Sequence, residues 1–426
     1  MSDNTPRSIF KIIGPGLLFA GSAVGVSHLV QSTRAGGTYG FALVIFILLA
    51  LLAKYPAFVF APSYAVATGK SLLSGYRRQG FFAIGVFGLS TLLTMFIATA
   101  ANLLITAGLA KVALGLDMGL LPLATVISAV GGALLIIGHY HWLDLIIKIL
   151  VVLLTLTTLA ATIISLPMID FSISGALLPD EFDLVTVLFI AALVGWMPTP
   201  LDVSVWQSQW TVAKMRDTGY QPTQREARID FNIGYMTTLI LALCFITLGT
   251  AVMHGSGKTF EGNPALFAGQ VIGLYEEALG QWSGFVVGIA AMAIMFSTYL
   301  TILDGFPRGL ANLALILQGK EEVADEDEAT VNQRHRYYWI SMLIMVIGAL
   351  AILSFFLENL SQLVDIAATI SFIGAPIFAY LNHRSIMGPE VPEDARPSAK
   401  MQLWSICGIT ALTAFALLYF YLIFIS

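Results

Sequence analysis

Long apolar runs decide what this chain of 426 residues can fold into. A helix rises roughly 1.5 Å per residue and the hydrocarbon core of a bilayer is about 30 Å thick, so a run of about 18 apolar residues can span a membrane. Eleven such runs predict an all-α membrane protein, with spans numbered 1 to 11 in chain order. They lie at 9–36, 41–66, 82–113, 119–138, 142–166, 184–210, 231–253, 283–306, 337–357, 360–382 and 401–424.

The composition excludes several other classes of protein. The chain is 57% hydrophobic and 11% charged, whereas soluble domains are about 45–50% apolar and about 25% charged. A soluble enzyme, a nucleic-acid binder and a disordered protein are therefore excluded. Cys244 and Cys407 lie in apolar runs without metal-ligand spacing, which excludes a disulfide framework and a zinc cluster. We expect a lipid bilayer and a small solute as partners, and no cofactor.

The distribution of positive charge predicts the orientation. With the N-terminus in the cytoplasm, 16 of the 21 lysine and arginine residues fall on the cytoplasmic side, and only Arg34, Lys111 and Lys258 fall outside. Such a bias is typical of cytoplasmic loops. Eleven spans then place the C-terminus outside, and we expect a multi-pass protein of the plasma membrane.

Two spans are interrupted near mid-membrane. Span 1 contains Gly25, Ser27 and His28, and span 6 contains Pro198 and Pro200. Proline removes a backbone donor, and lipid cannot satisfy the backbone groups that a break leaves, so each break must face a cavity. Interrupted helices five spans apart predict an inverted-repeat transporter that holds its solute between the breaks.

This pattern divides the chain into four parts. Residues 1–166 form the first five-helix repeat and residues 184–383 the second. An extracellular loop at 167–183 joins the repeats. Residues 384–426 form a cytoplasmic loop and helix 11.

Side chains at the two breaks have structural and functional interpretations. Thr199 is a suitable N-cap for the second half of span 6, which makes Asp202 either a capping acid on the helix dipole or a group that also meets the solute. Ser27 is a candidate cap for the outer half of span 1. His28 would then be a neutral imidazole, either a metal ligand or a hydrogen-bonding wall of the cavity.

At these breaks the sequence resembles the natural resistance-associated macrophage protein (Nramp) family of divalent-metal transporters. The resemblance rests on local strings in span order, and it implies the leucine-transporter type of fold. The strings are Gly14-Pro15-Gly16-Leu17-Leu18, Ala35-Gly36-Gly37 with Tyr39-Gly40, Thr68-Gly69-Lys70, Met197-Pro198, Asp304-Gly305-Phe306 and Leu360-Ser361-Gln362.

The chain departs from this family at the positions that the resemblance assigns to the ion. The metal-binding Asp-Pro-Gly-Asn of the family is replaced by Gly25-Val26-Ser27-His28, which removes the anionic ligand. The Met-Pro-His of span 6 is Met197-Pro198-Thr199. Ser204 stands where the family has its second span 6 histidine, and Ala368 stands where it has a span 10 glutamine. Ala100 and Leu103 stand at the family's proton-route Asp and Glu. By that resemblance the usual proton route is absent.

The substrate-binding candidates follow from the breaks and from the resemblance. They are Ser22, Gly25, Ser27, His28, Val194, Met197, Thr199 and Asp202, of which His28, Met197 and Asp202 are also candidate metal ligands. Imidazole and thioether ligands suit transition metals, so the sequence favours a divalent metal as the solute. The alternatives are a small organic or polar solute such as an amino acid, which Trp196 and Trp206 would suit, and a sensor that binds without transport.

Three charges inside spans are candidates for a coupling or structural role. Lys54 lies near the centre of span 2, where an ammonium needs a partner, and it is a candidate for a fixed positive charge in place of a coupling ion. Asp365 and Asp304 are the acids available to it. Lys148 can snorkel to the surface or pair with Asp144.

Overall fold

The computed structural model describes residues 14–137, 140–256, 260–320, 327–357 and 359–425, and the side chains of 140–151, 173 and 425 lie outside the description. All eleven predicted spans are present as helical segments within these residues. The expected roles of Lys148 and Asp144 and the position of Lys258 therefore lie outside the described part.

Nine spans are single helices. Their bounds, from span 2 to span 5 and from span 7 to span 11, are Val44–Thr68, Phe81–Ala113, Leu120–Ile137, Tyr140–Ser165, Gln224–Met253, Trp282–Leu317, Glu328–Phe356, Leu360–Ile386 and Ala399–Ile425. Shorter helices connect them at Leu72–Arg78, Phe171–Ser174 and Pro264–Leu279. Within the described residues, eight of these helices are long and apolar enough to cross a membrane.

Spans 1 and 6 are both interrupted, as the sequence predicts. Span 1 consists of a helix at Pro15–Ala23, a π-helical turn at Val26–Ser32 and a helix at Thr33–Tyr39. Span 6 consists of a helix at Leu184–Trp196 and a helix at Val203–Thr218. The residues between the halves, Val24 and Gly25 in span 1 and 197–202 in span 6, are irregular.

The predicted helix caps at the breaks are wrong. The second half of span 6 begins at Val203, after Asp202, because tight backbone bonds such as Val203 N to the Pro200 oxygen (3.2 Å) replace a helical start at Thr199. Ser27 lies inside the π-helical turn, where its hydroxyl oxygen lies 2.6 Å from the Ala23 carbonyl oxygen, and it does not cap a helix. The sequence shows which residues suit a cap, but contacts across the break decide where the helix starts.

Glycines allow both halves of span 1 to pack closely against span 7. A Cβ on Gly16 would lie 2.1 Å from the backbone carbonyl oxygen of Asp230, and one on Gly234 would lie 2.1 Å from the backbone carbonyl oxygen of Gly16. In the C-terminal half of span 1, a Cβ on Gly36 would lie 2.0 Å from the backbone carbonyl oxygen of Ile246. The backbones of spans 1 and 7 therefore touch, as in the small-residue interfaces of membrane helices.

Candidate functional site

The two breaks face one another. The Ser27 hydroxyl lies 3.2 Å from the carbonyl oxygen of Pro198, which joins the break of span 1 to that of span 6. Gly25 allows span 8 to approach on another side, because a Cβ there would lie 2.7 Å from Thr298 Cγ2. The Thr298 hydroxyl donates to the carbonyl of Gly21 at 2.8 Å. Span 8 thus donates a hydrogen bond to a backbone carbonyl beside the break of span 1.

A cavity of about 60 Å³ lies between the breaks. Spans 1, 3, 6, 8 and 10 contribute its walls. The lining residues are Ser22, Ala23, Val26, Ser27, Thr94, Ala98, Asn102, Trp196, Thr199, Pro200, Asp202, Val203, Trp206, Thr298, Ile302, Phe306 and Ser371. Among these residues Asp202 is the one ionisable group, and the remaining polar walls are hydroxyls, an amide and indoles.

Four of the predicted binding residues line this cavity, and four do not. Ser22, Ser27, Thr199 and Asp202 form part of its wall. Gly25, His28, Val194 and Met197 do not line it. Met197 and His28 are both fully buried, with no exposed surface.

His28 is committed to the backbone. Its Nδ1 lies 2.8 Å from the Ala23 oxygen and 2.8 Å from Ser27 Oγ, and its Nε2 lies 3.0 Å from the Thr238 oxygen on span 7. A neutral imidazole has one N–H donor and one acceptor nitrogen. Here the Ser27 hydroxyl and the Thr238 carbonyl can satisfy both, so the ring ties the break of span 1 to span 7.

Lys54 reaches the break of span 6 from span 2. Its Nζ donates to the carbonyls of Val194 at 2.6 Å and Gly195 at 2.7 Å, and lies 3.5 Å from that of Thr199. Asp202 belongs to the same break. The partners of Lys54 are therefore in span 6. The two acids that the sequence offers to Lys54 form salt bridges with other residues, Asp304 with Arg308 at 2.7 Å and Asp365 with Arg34 at 2.8 Å.

Asp365 belongs to a cluster of side chains from spans 1, 6 and 10 at one end of the cavity. Arg34 Nη1 and Nη2 donate to its two carboxylate oxygens at 2.8 and 3.1 Å, and Gln31 Nε2 donates to it at 3.0 Å. The Arg34 guanidinium also lies 5.0 Å from the centre of the Phe189 ring. Spans 1, 6 and 10 are joined at this point.

The sequence did not single out the walls from spans 3 and 8. Asn102 is fully buried and lines the cavity, and its amide nitrogen has no hydrogen-bond partner among the described residues. An amide inside a membrane span is itself a signal for a polar cavity, because lipid offers it no partner. That signal was available in span 3.

The described residues contain no group of three or more His, Cys, Asp or Glu side chains placed to hold a metal ion. This agrees with the cavity's walls, which carry one carboxylate. A dehydrated divalent cation needs several charged or strongly polar oxygen ligands, or softer nitrogen and sulfur ligands.

Two opposed helix breaks around a polar cavity, in a bundle whose described residues form eleven helical spans, define the secondary-transporter fold of the leucine-transporter type. The chain belongs to the natural resistance-associated macrophage protein-like (Nramp) family, whose model matches residues 16–422. This family membership confirms the resemblance read from the sequence, and it places the chain among transporters and not among enzymes.

Comparison with individual proteins shows how far this member has diverged. It is 34% identical over 422 residues to the uncharacterized protein PM0681 of Pasteurella multocida (strain Pm70), a match that covers 98% of this chain and 93% of that protein. The Eremococcus coleocola manganese transporter superposes with a TM-score of 0.65 at 14% identity, covering 98% of this chain and 88% of that one.

A second solved structure supports the same fold. MhsT in complex with L-phenylalanine has a TM-score of 0.63 at 15% identity, covering 99% of this chain and 100% of that one. The predicted fold class is thus confirmed, since both structures align with nearly the whole chain.

Proposed function

We propose that this Nramp-family member transports a small polar organic solute, such as an amino acid or an amide, by alternating access around the cavity between spans 1 and 6. The observation that carries the proposal is the chemistry of the cavity wall. Hydroxyls, an amide and two indoles surround one carboxylate. Ligand sites for small molecules combine aromatic walls with a few placed polar groups in this way.

The predicted metal ligands support this choice by their positions. The His28 ring is engaged by the Thr238 carbonyl on span 7 and by the Ser27 hydroxyl, and neither it nor Met197 lines the cavity. The Val194 carbonyl accepts a hydrogen bond from Lys54. Among the expected ion ligands, Asp202 is the one that lines the cavity, and a single carboxylate would compensate a dehydrated divalent ion poorly.

Asp202 gives the solute a preferred chemistry. Its side chain is 5% exposed and lies at the start of the second half of span 6. A carboxylate accepts hydrogen bonds, so it favours a solute with N–H or O–H donors. The aromatic rings of Trp196, Trp206 and Phe306 offer flat apolar surface to the rest of the solute.

A hydrated divalent cation is the second candidate. The oxygens of Asp202, Thr199 and Ser22 around the cavity favour it, because a cation that keeps part of its water shell can be bound through few protein oxygens. The fold shared with the Eremococcus coleocola manganese transporter also supports it. This candidate keeps the divalent-metal function that the sequence favours.

Uptake into proteoliposomes tests the proposal. A panel of radiolabelled amino acids and small amides is compared with Mn²⁺ and Mg²⁺, each with and without a pH gradient. We expect saturable uptake of at least one organic solute, which Asp202→Asn weakens by about tenfold or more, since hydrogen bonds to charged groups contribute roughly 1.5–3 kcal/mol.

The matched control is Asp183→Asn, which removes an exposed carboxylate that caps the first half of the same span. We expect it to leave uptake unchanged. Uptake of Mn²⁺ or Mg²⁺ without uptake of any organic solute in the panel would overturn the proposal in favour of the second candidate. Solute binding without flux would favour the sensor.

A further inference from the structure

The break in span 6 leaves backbone carbonyls that the helix cannot satisfy. In an α-helix each carbonyl accepts from the N–H four residues later. The residue four after Val194 is Pro198, which has no N–H, and the residue four after Gly195 is Thr199, which lies in the irregular segment. These carbonyls also form the C-terminal end of the helix Leu184–Trp196, where the helix dipole is negative.

The Lys54 ammonium occupies this position. It has three N–H donors, and three carbonyl oxygens, of Val194, Gly195 and Thr199, lie at 2.6, 2.7 and 3.5 Å. Lys54 has no exposed surface, so its charge depends on these partners. A buried charge that loses its partners is strongly destabilising.

The surroundings of this ammonium also favour a cation. Asp202, an acidic residue, belongs to the same break, three positions after Thr199. Gly195 lets the backbone of span 10 close the far side, since a Cβ there would lie 2.2 Å from the Ala368 oxygen. The carbonyls are thus held in place by span 10 on one side and by the lysine on the other.

We propose that the carbonyls of Val194, Gly195 and Thr199 form a cation site that Lys54 fills as a tethered ammonium, and that the site accepts small free ammonium ions once the lysine is truncated. The break in span 6 then needs no inorganic cation to stay assembled. This site adjoins the cavity wall at Thr199, while Val194, Gly195 and Lys54 are not among the lining residues. The inference rests on the transporter fold but not on the identity of the transported solute.

Thermal unfolding of the purified full-length chain in detergent tests this site without any transport measurement. The unfolding midpoint is measured while choline chloride is replaced stepwise by methylammonium or ethylammonium chloride at constant ionic strength. We expect Lys54→Ala to unfold at a lower temperature than the native chain. We also expect the small amines to raise its midpoint saturably, by roughly 2–4 °C, because a ligand that binds only the folded state stabilises it.

One variant separates the charge of Lys54 from its packing, and a second serves as a control at another lysine. Lys54→Met keeps a side chain of similar length without the charge, and we expect it to be destabilised and not rescued, because its methyl group fills the site. Lys111→Ala removes an exposed lysine that also donates to a backbone carbonyl, that of Met118 at 2.8 Å. We expect no amine effect on this control or on the native chain.

Two results would overturn the inference. One is an amine response of Lys54→Ala that is no larger than that of the native chain. The other is an unfolding midpoint of Lys54→Met equal to that of the native chain. If neither neutral variant can be purified folded, Lys54→Arg decides: its recovery supports the need for a positive charge, and its failure assigns Lys54 a packing role. Because no solute is involved, either outcome leaves the proposed transport of an organic solute to its own test.

Discussion

Arg34 and Asp365 join span 1 to span 10 through two parallel hydrogen bonds of 2.8 and 3.1 Å. A guanidinium and a carboxylate fit each other in this bidentate geometry. The pair lies beyond the cavity, toward the C-terminal half of span 1, and Gln31 and Phe189 add contacts to it. The pair therefore holds spans 1 and 10 together at one end of the cavity.

Weakening this pair should open that end more often. We expect Asp365→Asn to raise the rate at which a hydrophilic thiol reagent modifies a cysteine placed at Ser371 by about twofold to fivefold. The effect is modest because an ion pair with a partly exposed carboxylate contributes roughly 0.2–1 kcal/mol. The measurement uses a background in which Cys244 and Cys407 are replaced by alanine.

The control for this measurement is Asp183→Asn, which removes an exposed carboxylate of span 6. An equal increase in that variant, or no change with Asp365→Asn, would show that the pair does not hold the end closed.

The contact between Gly16 and Gly234 should tolerate no side chain. Gly234→Ala places a Cβ 2.1 Å from the Gly16 oxygen, and the backbone atoms there have little freedom to move. We expect overpacking to lower the free energy of unfolding by roughly 1–3 kcal/mol. A thermal unfolding midpoint measured in detergent reports this loss.

Gly85→Ala is the matched control, because it is also a helical glycine but a Cβ there meets nothing within 4 Å. It should be neutral or slightly stabilising, since alanine favours helix over glycine. Equal midpoints for the two variants would contradict the close approach of spans 1 and 7.

Asn102 should contribute to solute affinity through its unpartnered amide. Asn102→Leu removes a donor from the cavity wall, and we expect the KM for the solute identified by the uptake panel to rise by about twofold to tenfold, as a net hydrogen bond contributes roughly 0.5–1.5 kcal/mol. Initial rates of uptake into proteoliposomes provide the KM.

A matched change on the same helix is Thr99→Val. Thr99 is also fully buried, and its hydroxyl has no hydrogen-bond partner in the described part of the chain, but it does not line the cavity. We expect an unchanged KM for this variant. A KM that responds to Thr99 and not to Asn102 would show that the solute binds elsewhere.

The sequence predicted the architecture well, because bilayer thickness and backbone hydrogen bonding leave few choices. The runs at 41–66 and 82–113 became the helices Val44–Thr68 and Phe81–Ala113. Pro198 and the Gly25 region marked the two breaks for the same reason, since a proline and a glycine inside a span disturb the helical ladder.

The site was predicted only in part, because its contacts join residues that are far apart in sequence. Lys54 lies about 140 positions from the carbonyls that it bonds, and no local pattern links them. His28 looked available as a ligand, but the Thr238 carbonyl on span 7 engages its Nε2. Asn102 is a local signal that span 3 faces a polar cavity, but only the packing of span 3 against the other spans shows that this is the cavity between the two breaks.

The most direct measurement asks whether the solute passes between the two breaks. Thr298→Cys, in the background without native cysteines, places a thiol on the cavity wall beside Gly25. We expect a methanethiosulfonate reagent to stop uptake of the transported solute, and an excess of that solute to slow the modification. Uptake that continues after complete modification would contradict a route through this cavity.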